Sequence, residues 1–136
     1  MDTQDDREYF MMVGIGIDAV EIERFAHWAQ LPQKSLERIF SPQEIVYCLD
    51  CPTKSAERFA ARFAAREALF KALHSAYQSQ KMPFLTLCRS VIIEKTPHGA
   101  PILSLTTSEL PAPLIVHLSW THTQNTATAI ILLQNA

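Results

Sequence analysis

The chain has 136 residues, 48% of them hydrophobic, a length and composition that suit one compact domain burying roughly two-thirds of the surface its unfolded chain exposes. A net charge of −2 leaves no basic excess of the kind that grips nucleic acid backbones. The start, MDTQDDREYF, is acidic and lacks the basic region and apolar core of a secretory signal, and no apolar run nears the roughly 20 residues of a membrane span. A cytoplasmic protein without nucleic acid or membrane partners is therefore expected.

Residues 1–10 read as a flexible polar tail and 11–136 as a single domain. In MMVGIGIDAVEI the alternation predicts a strand with Val13, Ile15 and Ile17 on one face and Gly14, Gly16 and Asp18 on the other. Two glycines on one face strip it of side chains, so a ligand or another segment comes close there. Asp18 followed by Glu21 has the spacing of a capping box for a helix running to about Gln30. A capping role for Asp18 is compatible with a role at a site on the bare face.

SPQE predicts a second helix, with Ser41 as N-cap, Pro42 at the first position and Glu44 completing the box, ending near Pro52. Cys48 and Cys51 form a C-x-x-C. A four-ligand zinc site would want a second close pair, whereas the chain offers only scattered Cys88, His74 and His98. The cysteines, three in number, do not make a disulfide framework either, and read as structural.

SAERFAARFAAREALFKALHSA predicts one long helix over 55–76. On its wheel Phe59, Phe63, Phe70 and Leu73 share a stripe, alanines cover most of the far side, and Arg58, Arg62 and Arg66 form a polar ridge. Glu67 and Lys71, one turn apart, lie off that ridge. Such a pair on a surface is ordinarily solvated and worth about 0.2–0.5 kcal/mol. On a helix apolar or small around most of its circumference it sits instead in a partly enclosed place, where charges need a metal, a phosphate or another carboxylate.

Two strand-like runs around a Pro and Gly turn in LCRSVIIEKTPHGAPILSL predict a hairpin, and LIVHLSWTHT with TATAIILL predicts a second, turning near Gln124 and Asn125. The order of strand, helices, strands favours an α+β domain with helices packed on a mainly antiparallel sheet. The second hairpin gathers Ser119, Thr121, His122 and Thr123 near a strand end. His122 among hydroxyls suits either phosphate oxygens or the orientation of a leaving group. A Ser-His-Asp triad gains no support, because Ser119 has no G-x-S-x-G elbow.

VGIGIDAVEIERF, RFAARFAAREALFKAL and HLSWTHTQNTATAIIL together resemble the holo-[acyl-carrier-protein] synthases, the small bacterial 4'-phosphopantetheinyl transferases. The ordered motifs G-I-G-x-D, R-F-A-A-basic-E-A-x-x-K-A and the late S-x-S-H-T span about Met12 to Leu133, and RIFSPQE and HGAPIL also resemble family segments. The chain departs from the pattern in carrying HSAYQSQKM in place of a glycine-rich turn after Leu73. It also has Trp120 for a smaller aliphatic residue, Thr121 for the second serine and Arg66 for a lysine.

The resemblance implies a 4'-phosphopantetheinyl transferase-like fold and transfer of the 4'-phosphopantetheine arm of coenzyme A to a serine of apo acyl carrier protein, releasing adenosine 3',5'-bisphosphate for fatty acid biosynthesis. It implies Mg²⁺ held by Asp18 and Glu67, which are hard oxygen donors suited to that ion. It implies catalysis by Glu67 as acceptor of the serine proton and Lys71 as partner of the leaving phosphate. By the same resemblance Arg62, Lys71, Thr121 and His122 would bind the nucleotide phosphates, and a homotrimer with sites between subunits is expected. Because the chain is itself slightly acidic, an acidic carrier protein would dock on a local basic patch. Arg24, Lys34 and Arg38 are placed there, with Phe25 or Trp28 for apolar contact. A non-catalytic binder of coenzyme A or carrier protein, or a metal-dependent phosphohydrolase, is the alternative.

Overall fold

The computed structural model describes residues 11–79, 81–107, 109–110 and 112–136; the predicted tail over 1–10 lies outside the described residues. The first strand, β1 (Met12–Glu21), is followed by 3-10 turns over Ile22–Phe25 and Trp28–Gln30, then helices α1 (Gln33–Leu36), α2 (Pro42–Leu49), α3 (Ser55–Ala76) and α4 (Phe84–Arg89). Strands β2 (Val91–Lys95), β3 (Pro101–Leu105), β4 (Leu114–His122) and β5 (Thr126–Asn135) complete the order. β1, β5 and β4 form a three-stranded sheet in that order, β2 and β3 a two-stranded one, and every pairing is antiparallel. The α+β architecture and both hairpins are as expected, except that Phe84–Arg89, ahead of the first hairpin, is helical.

Helix α3 lies across the inner face of the larger sheet. It covers Val20, Ala127, Ala129, Ile131 and Leu133 with its own Phe59, Ala64, Ala65, Ala68, Leu69 and Ala72, all buried. The glycines set the closeness of this packing. A Cβ on Gly16 would stand 1.9 Å from the Ala68 carbonyl oxygen, and one on Gly14 would stand 2.5 Å from that of Ala72. The segment that approaches the bare face of β1 is therefore α3. The apolar set of the same strand faces outward, with Ile15 48% and Ile17 57% exposed.

The capping-box reading of Asp18 and Glu21 is corrected. β1 continues through both residues, pairing Asp18 with Ala129 and Glu21 with Thr126. The strand ladder outcompetes the local helix signal, and only short 3-10 turns follow, with no side-chain cap at Glu21. Ile22 N–H then donates to the Asn125 carbonyl at 2.8 Å, tying the end of β1 to the β4–β5 turn.

Phe25 and Trp28 are corrected as well. Phe25 is buried and Trp28 half-buried in an aromatic cluster with Phe40, Phe59 and Phe63, at centroid separations of 4.6–6.2 Å. Such pairs are worth about 0.5–1.5 kcal/mol each beyond the area they bury.

At α2 the cap forms as expected, Glu44 N–H donating to Ser41 Oγ at 3.3 Å. The Glu44 carboxylate, however, turns into the core. Arg66 Nη2 reaches its Oε1 at 2.7 Å and Nη1 its Oε2 at 2.9 Å, while the guanidinium also donates to the Cys88 and Val91 carbonyls. Ile93 N–H on β2 and the Ser41 hydroxyl complete the shell of Oε1. Arg62 and Arg66 are therefore not a solvated ridge, because a fully satisfied buried pair holds α2, α3 and the small sheet together. Cys48 and Cys88 are buried free thiols that burial pushes up to about 11 and about 12, which keeps them protonated and structural.

Candidate active site

Asp18 projects from β1 towards α3 because the glycines before it let strand and helix meet. Lys71 Nζ donates to Asp18 Oδ1 at 2.8 Å and to the Ile17 carbonyl at 3.1 Å. The pair is asymmetric, with the Asp18 side chain 10% exposed and that of Lys71 54% exposed, so the lysine reaches in from solvent. Asp18 Oδ2 is buried and has no hydrogen-bond partner.

Glu67, one turn before Lys71 and partly buried, completes the group. Burial first, and then the adjacent Asp18 carboxylate, push its carboxyl above the usual range, while the charges of Arg24 and Lys71 pull the other way. Lys71 is raised, chiefly by its hydrogen bond to Asp18. Two carboxyls held side by side, one with an unpaired buried oxygen, lack positive charge that one surface lysine only partly supplies. A hard divalent cation with oxygen ligands fits such a place, since Mg²⁺ takes one or two carboxylates and keeps waters. Among the described residues no cluster of three or more metal-ligating side chains occurs.

Arg62, Thr121 and His122 do not join this group. They line a separate pocket of about 160 Å³ with Lys54, Arg58 and Trp120. Arg62 is its buried floor. The guanidinium carbon lies 4.7 Å from the Tyr47 ring centroid and 5.1 Å from that of Trp120, its Nε has no hydrogen-bond partner, and Glu44 Oε2 lies 3.8 Å from that Nε. Burial lowers its pKa from the usual arginine value. His122, at the end of β4, lies 3.8 Å from Glu57.

Arg58 and Glu67 are nine residues apart on α3, about 13 Å along the axis and about half a turn around it, so pocket and carboxylate group face opposite sides of the helix. Tyr47 and Lys95 also line the pocket. Neither carries a local sequence signal, because they meet only when α2 packs on β2. Arg24 and Arg38 are both exposed; Arg24 lies 5.0 Å from the Phe63 ring centroid and 5.6 Å from that of Phe25.

Residues 14–131 match the model of the 4'-phosphopantetheinyl transferase superfamily. The chain is 33% identical over 129 residues to a holo-[acyl-carrier-protein] synthase of Treponema denticola, covering 91% of this chain and 99% of that one. It is 35% identical over 138 residues to one of Anaeromyxobacter dehalogenans, covering 93% and 98%. A holo-(acyl-carrier-protein) synthase of Bacillus anthracis, solved in complex with CoA (3',5'-ADP), superposes with a TM-score of 0.73 at 30% identity, covering 93% of this chain and 99% of that one. One of Helicobacter pylori in complex with coenzyme A gives a TM-score of 0.65 at 31% identity, covering 88% and 98%. With motifs, fold and the meeting of Asp18, Glu67 and Lys71 in agreement, the chain belongs to the holo-[acyl-carrier-protein] synthases, enzymes of the 4'-phosphopantetheinyl transferase superfamily.

Proposed function

We propose that the chain transfers 4'-phosphopantetheine from coenzyme A to a serine of an acyl carrier protein with Mg²⁺, in the cytoplasm and for fatty acid biosynthesis, and that Asp18, Glu67 and Lys71 are its reaction centre. The observation that carries this reading is the buried, unpartnered Asp18 Oδ2 beside a carboxyl with a raised pKa. A divalent ion held by Asp18 and Glu67 supplies electrophilic polarisation of the pyrophosphate when bound.

The chain's own groups do the rest. The serine Oγ–P bond forms and the P–O bond to the nucleotide 5'-phosphate breaks. Glu67 accepts the serine proton, directly or through a water, and its raised pKa brings it nearer to the working pH of a general base. Lys71 already spans Asp18 and the strand carbonyl, and neutralises charge growing on the departing phosphate. Arg62, Thr121 and His122 belong to the pocket that takes nucleotide phosphates, Arg62 acting from beneath as a fixed charge.

Mass spectrometry of an apo carrier protein incubated with the chain, coenzyme A and Mg²⁺ tests the reading; a gain of the phosphopantetheine mass is expected. Coenzyme A cleaved without that gain would make it a phosphohydrolase, and binding without turnover a non-catalytic relative.

A homotrimer is part of the proposal. The outer sheet face carries exposed Met12, Ile15, Ile17 and Ile115, an apolar surface suited to burial between copies. Reaction centre and basic pocket lie on opposite faces of one helix, so neighbouring copies would bring them together around one coenzyme A. Light scattering on active enzyme is expected to return three times the chain mass, and a fully active monomer would refute the shared site.

The carrier protein docks, in this reading, on Arg24, Lys34 and Arg38, with exposed Leu31 in place of the buried Phe25 as apolar contact. Because the charge of Arg24 reaches Glu67, Arg38 is the cleaner probe. Arg38→Glu is expected to raise KM for carrier protein roughly fivefold and leave KM for coenzyme A unchanged. An equal rise for both substrates would remove Arg38 from the docking face.

A further inference from the structure

Helix α3 does not stop where the family pattern turns. After Leu73, where that pattern has a glycine-rich turn, the chain carries HSAY and the helix runs on to Ala76, the Tyr77 N–H closing its last turn on the Leu73 carbonyl at 2.8 Å. The extension is seated on β1, since a Cβ on Gly14 would stand 2.9 Å from that of Ala76. It brings His74 to the face that carries the reaction centre. At about 100° and 1.5 Å per residue, His74 lies about 20° around and about 10 Å along from Glu67, and one turn beyond Lys71.

The imidazole is held in one orientation. Its Nδ1 lies 2.9 Å from the Phe70 carbonyl oxygen and its ring centroid 4.3 Å from that of Phe70, with Phe84 edge-on to Phe70 at 5.6 Å. A carbonyl only accepts, so Nδ1 carries the proton and Nε2 of the neutral ring keeps the lone pair. Among the described residues nothing donates to Nε2. His74 is exposed and Phe70 half-buried, so an oriented acceptor and an aromatic surface are open side by side next to Lys71. A histidine in the last turn also suits the helix end, but that role leaves Nε2 unused.

We propose that His74 determines specificity for the pantetheine arm of coenzyme A, Nε2 accepting from the pantoyl hydroxyl and the Phe70 ring packing on the gem-dimethyl carbon beside it. The inference rests on the reading that Glu67 and Lys71 flank the reacting phosphorus. The place of the arm follows by elimination. β1 closes one side, where Lys71 bonds Asp18 and the Ile17 carbonyl. Towards the N-terminal half of α3 stands Arg24, whose charge reaches Glu67 and which lies 5.0 Å from the Phe63 ring centroid, on the side given to the carrier protein. The C-terminal end is left for the arm. Its gem-dimethyl and hydroxyl groups follow directly on the phosphoester, within the one turn, about 5 Å, that separates Lys71 from His74. One donor beside one apolar branch is what an acceptor beside an aromatic ring selects.

Calorimetric titration of the full chain with coenzyme A, with a coenzyme A analogue lacking the pantoyl hydroxyl, and with adenosine 3',5'-bisphosphate, which lacks the arm, tests this. The unmodified protein is expected to bind coenzyme A roughly fivefold more tightly than the analogue, as for one hydrogen bond. His74→Phe, which keeps a ring and removes the acceptor, should lose that preference through weaker coenzyme A binding, while binding of the bisphosphate changes less than twofold; His74→Gln should recover part of the preference. An unmodified protein indifferent to the hydroxyl, a preference kept by His74→Phe, or an equal loss for coenzyme A and the bisphosphate would overturn the contact and leave His74 a helix-end residue. Transfer to carrier protein by the unmodified chain is read separately, and a chain that keeps the preference but transfers nothing would overturn the reaction-centre reading instead.

Discussion

Glu67→Gln is expected to lower kcat for carrier-protein modification by roughly 10²–10⁴, the usual contribution of a positioned general base, with the fold intact. Asp18→Ala should fail to the same degree, and Asp18→Asn nearly so, because both remove a charged oxygen that the pair supplies. The pH dependence gives a second signature. The folded pKa of Glu67 is raised above its ordinary 4.5, so between the two values the folded chain holds more protons than the unfolded one. Stability from this group is therefore present below the ordinary value and lost as pH rises through the raised one.

Activity runs the other way, since a protonated Glu67 cannot accept the serine proton. Without metal, acidification through the window should raise the contribution of this group to the melting temperature, and Glu67→Gln should remove that contribution; with Mg²⁺, protonation of Glu67 should lower kcat. Thermal melts and single-turnover rates across the acid range check this; full turnover by the Glu67→Gln protein would remove Glu67 from the chemistry.

Gly16→Ala is the substitution expected to cost most stability. Its new Cβ would meet the Ala68 carbonyl oxygen at 1.9 Å and the Ala72 nitrogen at 2.7 Å, both backbone atoms of a helix that cannot swing aside. β1 must lift from α3. The cost should lie at or above the upper end of ordinary overpacking, about 3 kcal/mol, a fall in Tm of roughly 10 °C. Gly14→Ala, with contacts of 2.5 Å and 2.9 Å nearer the end of the helix, should fall less. Lifting β1 also parts Asp18 from Lys71, so the Gly16 variant should lose activity beyond its loss of stability. A melting point equal to the parent's would show that strand and helix are less tightly joined than the distances state.

Local periodicity and turn chemistry carried the long helix, the Ser41 cap and both hairpins, because each is decided within a few residues. β1 was harder. Its alternation defines two faces but not which of them is inside, and here glycines rather than isoleucines face the core because α3 comes closer than any side chain allows. The D-x-x-E spacing at Asp18 was misleading because a ladder to β5, more than a hundred residues away, decides that segment. The wheel of α3 separated Glu67 and Lys71 from the arginines but exposed the wrong set, since Arg66 is neutralised by Glu44 from 22 residues earlier. The meeting of Asp18 with Glu67 and Lys71 was legible only through the ordered motifs. The contact of Tyr47 with Lys95 spans 48 residues and left no local trace.

Asp18 takes its place through a hydrogen-bond ladder to the last strand of the chain, Asp18 opposite Ala129. During synthesis the proposed reaction centre therefore cannot form until the ribosome has released β5, although Asp18, Glu67 and Lys71 emerged long before. The nascent chain meanwhile exposes the alanine and leucine surface of α3 that β5 will cover, a stretch open to chaperones and to mispairing. A message cut short after His122 would encode Asp18, Glu67 and Lys71 and still leave them without the ladder that brings them together.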